Sequence, residues 1–79
     1  MEIRYFAGAA DAAGLESQTI DASGHSVREI VVIVSAGNDR LGAVLEASSL
    51  LADGVRVTSP EHPLDQVSQL DVLPPFAGG

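Results

Sequence analysis

Apolar and polar positions alternate through the opening MEIRYFAG. Ile3, Tyr5 and Ala7 fall on one side, and Glu2, Arg4 and Phe6 on the other. This period of two, with a β-branched residue and two aromatics, predicts a strand. Phe6 stands on the otherwise polar side, so its ring is expected either under a second element or exposed for a purpose. The Ala-rich AADAAGLES, closed by Gly14, predicts a connection with a helical turn. Glu16–Ala22 reads as a second strand, with Gln18, Ile20 and Ala22 alternating against Ser17, Thr19 and Asp21.

The pattern then changes period. Ser26 and Glu29 have capping-box spacing just ahead of an apolar run. Val27, Ile30, Val31 and Val34, with Val32 beside them, form an i, i+3, i+4, i+7 stripe that Gly37 and Asn38 stop. The β-branched content also suits a buried strand, but the cap and the clean stop favour a helix of about three turns. In Arg40–Ser48, Leu41, Val44 and Leu45 share a helical face, while Gly42 costs about 1 kcal/mol relative to alanine. That combination predicts a short or irregular helix. Two apolar runs around Asp53-Gly54 predict strand, tight turn and strand. PEHPLDQV predicts a Pro-bounded connection held by Leu64 and Val67. QLDVLPP predicts a last strand with Leu70 and Val72 on one face, ended by Pro74 and Pro75. The order is β-β-α-β-β plus a terminal strand, which defines a compact α+β roll.

Composition narrows the function. The chain has 79 residues, enough for one domain, and contains no cysteine. This excludes disulfides, thiolate metal sites and a cysteine nucleophile. Eleven acidic residues against four arginines and no lysine give a net charge of -7. Such a surface repels phosphate backbones and anionic lipid, so the expected partners are proteins with basic docking faces, with no role for nucleic acid or membrane. The N-terminus has no signal-peptide pattern and IVVIV is too short for a membrane span, so a cytoplasmic location is expected.

Candidate chemistry concentrates in the ending LPPFAGG. Pro74-Pro75 stiffens and extends the backbone, Phe76 supplies an apolar anchor, and Ala77, Gly78 and Gly79 are slender enough to thread a narrow slot. The expected division is residues 1–75 as a folded domain and residues 76–79 as a flexible Gly-Gly tail. His25 and His62, with Asp21 or Asp65 as partners, are the only groups suited to acid–base work near neutrality. A helix cap and a proline-flanked loop mark both as ordinary surface residues. No spacing of metal ligands is present, and Asp11, Asp39 and Asp53 read as turn residues that aid solubility.

Four stretches, IRYFAGAADAAG, SVREI, LLADGVRV and above all LPPFAGG, resemble the small subunits of molybdopterin synthase, a branch of the ubiquitin-like sulfur carriers. The likeness spans the whole length. It implies a β-grasp fold with a mixed sheet packed on one main helix, and a carrier that is not itself an enzyme. It further implies that an E1-like adenylyltransferase activates the Gly79 carboxylate with ATP and that a sulfur donor protein converts it to a thiocarboxylate. The tail then enters the large catalytic subunit, where sulfur passes to precursor Z. The working complex would be a heterotetramer of two small and two large subunits, and the chain would bind no cofactor. Gly78 would give clearance, and Phe6, Leu73, Pro74, Pro75, Phe76 and Ala77 would contact the partner, with Arg4 and Arg56 as candidate additions. Val67-Ser68 stands where relatives commonly carry Gly-Asp, and Phe76 and Ala77 where they often carry Val and Ser. Carriers for thiamin-thiazole or cysteine synthesis share the tail, and a binding module without thiocarboxylate chemistry would share the fold.

Overall fold

The computed structural model describes residues 1–75. Five strands form a single sheet: β1 (Glu2–Tyr5), β2 (Ser17–Thr19), β3 (Ser49–Ala52), β4 (Val55–Arg56) and β5 (Gln69–Leu73). Their order is β2-β1-β5-β3-β4, with β1 and β5 parallel at the centre and every other pairing antiparallel. Helix α1 (Gly8–Ala13) links β1 to β2, and α2 (Val27–Val34) followed by α3 (Asp39–Ala47) provides the crossover to β3. The inward rows Ile3/Tyr5 and Leu70/Val72 share one core with Ala9, Ala12, Val27, Ile30, Leu41 and Leu45 from the helices.

Local chemistry accounts for most element boundaries. Ser26 and Glu29 form the reciprocal capping box, with Glu29 N–H donating to Ser26 Oγ and Ser26 N–H donating to Glu29 Oε1. Asp53 (φ 47°) and Gly54 (φ 82°) both lie in the left-handed region. A two-residue hairpin needs this backbone to follow the twist of its strands. The PEHPLDQV connection is pinned by Leu64, which is fully buried, and by the turn from Leu64 O to Val67 N–H.

Several expectations change. The first strand stops at Tyr5, because Ala7 (φ 48°) turns the chain into α1 and is exposed. β2 keeps the expected faces, but its pairing covers only Ser17–Thr19. α2 ends at Val34, and Val32 is 64 % exposed, so Val32 does not belong to the buried stripe. The stretch around Gly42 forms a short helix of nine residues that is regular throughout, so the irregular alternative is the one that falls away. Asn38 caps it by accepting from Leu41 N–H, and Leu41 and Leu45 bury its inner face. The mixed sheet is covered by helices, α2 and α3 being of similar length.

Candidate functional site

Parallel strands end at the same edge of a sheet, and here that rule builds the site. The register Ile3↔Leu70, Arg4↔Asp71, Tyr5↔Val72 continues so that Phe6 falls beside Leu73. Phe6 N–H donates to Val72 O at 3.2 Å, which fixes the alignment. The β1 exit and the departing segment Leu73-Pro74-Pro75 therefore meet at one end of the sheet. Phe6 is 38 % exposed, Leu73 and Pro74 are half-buried, and Pro75 is exposed. Phe76, Ala77, Gly78 and Gly79 lie outside the described residues.

Behind Phe6 sits an ion pair on the face of the sheet opposite the core. Arg4 donates from Nε to Asp71 Oδ1 at 2.9 Å and from a terminal nitrogen to Oδ2 at 3.2 Å. Its guanidinium lies 5.4 Å from the centre of the Phe6 ring, within cation–π range. The Asp71 hydrogen bond, reinforced by the charges of Asp71 and Glu2, holds the Arg4 guanidinium above its ordinary value against opposing desolvation. Gln69 Nε2 donates to Asp71 Oδ1 at 3.2 Å, so this largely buried carboxylate has three donors. On the core side Tyr5 donates from its hydroxyl to Gln18 Oε1 at 2.8 Å, and burial pushes the phenol upward. These contacts hold the β1 end in a fixed orientation beside the departing chain.

Asp71 carried no sequence signal of its own. Its alternation between Leu70 and Val72 marked it as outward, but its pairing with Arg4 depends on the parallel register. Asp53 also has a larger part than solubility. Its carboxylate accepts from Ser68 N–H and Gln69 N–H, and its own N–H donates to Gln69 O at 2.9 Å. The hairpin tip thereby anchors the start of β5, the strand that delivers the tail. Ser68 supplies one of these donors.

The histidines do not assemble a catalytic pair. Asp21 accepts from Ser23 N–H and Asp65 from Gly24 N–H, so both carboxylates serve local turns. His25 Nδ1 approaches Glu29 Oε1 only to 3.8 Å. Among the described residues no three His, Cys, Asp or Glu side chains cluster as metal ligands, and no helix is long and apolar enough to cross a membrane.

This strand order with helices on the core face is the ubiquitin-like β-grasp. Solved structures agree. A putative molybdopterin converting factor subunit 1 from Pyrococcus furiosus superposes with a TM-score of 0.79, at 19 % identity over 95 % of each chain. SAMP1 from Haloferax volcanii gives 0.74 at 19 % identity, covering 99 % of this chain and 97 % of that one. The Haloferax volcanii HVO 2177 protein gives 0.72 at 25 % identity, covering 99 % and 84 %. No family model and no curated protein matches the sequence.

Proposed function

We propose that this chain is the sulfur-carrier subunit of a molybdopterin synthase, with the Gly79 carboxylate as its reactive group. The observation that carries the reading is the parallel β1–β5 pairing, which sends Leu73-Pro74-Pro75 off the sheet beside the exposed Phe6 ring. A carboxylate is inert at neutral pH until it is activated, so the chemistry resides on partners: an E1-like adenylyltransferase using ATP, a sulfur donor protein, and a large catalytic subunit. The carrier contributes positioning. Phe6 and the Leu73-Pro74-Pro75 shoulder dock on the partner, Phe76 anchors the tail, and Ala77 with Gly78 let the carboxylate reach the reaction centre at high effective concentration. The acidic body, with a net charge of -7, favours basic partner surfaces, and a chain without cysteine fits a reducing, cytoplasmic setting.

Reconstitution with a molybdopterin synthase large subunit tests the reading. Removal of Gly79, or addition of residues after it, should abolish sulfur transfer to precursor Z while leaving circular dichroism unchanged. Retained transfer by the Gly79 deletion would exclude it. A second reading draws on the neighbour titled small archaeal modifier protein 1, from H. volcanii. The same activated carboxylate would then be joined to amines of other proteins. Amide-linked adducts on target lysines, with no transfer to precursor Z, would select that reading.

A further inference from the structure

The sheet has a second feature at its β4 edge, two strands from β5. β4 is an edge strand, and among the described residues its only partner is β3. Val57 N–H donates to Leu50 O at 2.8 Å, and Ala52 is paired with Val55. In an antiparallel ladder hydrogen-bonded pairs alternate with non-bonded ones, so the intervening Arg56 directs its N–H and C=O away from β3. Edge strands are usually protected by charge and shortness. This one is short and carries Arg56, but it also presents Val55, which is 68 % exposed.

Beside it lies a groove of about 490 Å³ between α2 and the end of the β3–β4 pair. Val27, Val31 and Val32 form one wall, and Leu50 and Val57 the other. At its rim Arg28 is already paired with Glu61 at 2.9 Å. None of the ion pairs among the described residues involves Arg56. Strand alternation starts the Arg56 side chain on the outer face of the sheet, and Arg56 also lines the rim of the groove at the strand edge.

We propose that the β4 edge accepts an extended segment of a partner protein as a sixth strand, with an acidic residue opposite Arg56 flanked on both sides by apolar residues. The pattern follows from pleat geometry. The residue facing Arg56 starts on the outer face, where a carboxylate can accept a charge-assisted bidentate bond from the guanidinium. Its two neighbours turn to the other face, one beside Val57 at the groove and one beside Val55. Because the chain as a whole is strongly acidic, a carboxylate elsewhere in the segment would be repelled, which restricts the acid to that position. The β4 edge lies two strands from β5, while the groove beside it borders the Phe6–Pro75 end through Ser49, the cross-strand partner of Leu73. The added strand uses no chemistry of the carrier reading and does not rest on it.

The test uses the full ¹⁵N-labelled chain and an acetylated, amidated peptide Thr-Val-Glu-Val-Thr, with a counterpart carrying Lys for Glu. Saturable amide shifts are expected at Arg56, Thr58 and Val32. The Glu peptide should bind about fivefold tighter than the Lys peptide, and Arg56→Glu should invert that order. Val32→Glu, at an exposed position, should weaken both peptides without changing the thermal midpoint. Three results would overturn the proposal: no saturable shift at about 1 mM peptide, shifts centred on Phe6 with none at Arg56, or equal affinities in both the parent chain and Arg56→Glu. Concentration-dependent shifts at β4 without peptide would also overturn it, by making a second copy the occupant.

Discussion

Replacing Asp53 separates two contributions that meet at one residue. Its carboxylate holds Ser68 N–H at 3.1 Å and Gln69 N–H at 3.0 Å, and its backbone sits at φ 47°. Alanine loses the acceptor and also bears the left-handed backbone, which is costly for a residue with a Cβ and no local hydrogen bond. The exposed bonds together contribute about 1 kcal/mol after allowance for solvent, and the backbone conformation about 1 kcal/mol more. Asp53→Ala should therefore cost about 2 kcal/mol, which in a domain of this size lowers the melting midpoint by about 8–16 °C. Asp53→Gly loses only the bonds, so about 1 kcal/mol. Asp53→Asn keeps an acceptor and tolerates the backbone, so its loss should stay within about 0.5 kcal/mol. Urea unfolding of the three variants checks the order Asn, Gly, Ala from most to least stable. Alanine as stable as glycine would refute the backbone contribution, and asparagine as unstable as alanine would refute the acceptor.

Other sites give further expectations. A Cβ added at Gly42 would meet Ser35 Cβ at 3.6 Å, an ordinary contact, so Gly42→Ala should stabilise α3 by about 0.5–1 kcal/mol in the same urea assay. Ser26→Ala should lose about 1 kcal/mol by removing the cap of α2. The Ser26 N–H bond is the main cause holding the Glu29 carboxyl below its ordinary value of 4.5, so its stabilising effect is complete above that pH and is lost as pH falls through the lower folded value. Glu29→Gln should accordingly flatten the acid limb of a stability–pH profile. Phe6→Asp should leave the melting midpoint within about 3 °C, because the ring is partly exposed and outside the core. The same change should weaken capture by a large subunit at least tenfold, as expected for a central aromatic anchor worth about 2 kcal/mol.

Much of the fold was legible because short-range rules governed it. The Ser26–Glu29 box, the Asp53-Gly54 turn and the Ile3/Tyr5 and Leu70/Val72 alternations each depend on neighbours within a few residues. The misreadings share a different cause. Gly42 lowered the expectation for α3, yet Leu41 and Leu45 were buried by tertiary packing that propensity does not register. Ala7 continued the alternation on paper but adopts a positive φ that no local residue type announced. Phe6 and Leu73–Pro75 were legible as candidate residues, and the structure puts them at one end of the sheet, while their contact with a partner is a proposal and Phe76–Gly79 lie outside the described residues. The Arg4–Asp71 pair and the Asp53 anchor were not legible, because each joins segments whose register is fixed only when β5 inserts beside β1 and β3.

The central claim is that Gly79 is activated and sulfurated. Intact-mass analysis of the chain with a free C-terminus, incubated with an E1-like enzyme, ATP and a sulfur donor protein, tests it most directly. The account predicts a gain of about 16 Da, the exchange of oxygen for sulfur, confined to the C-terminal fragment and lost when Gly79 is deleted. An unchanged mass while the enzyme demonstrably sulfurates a known carrier would contradict it.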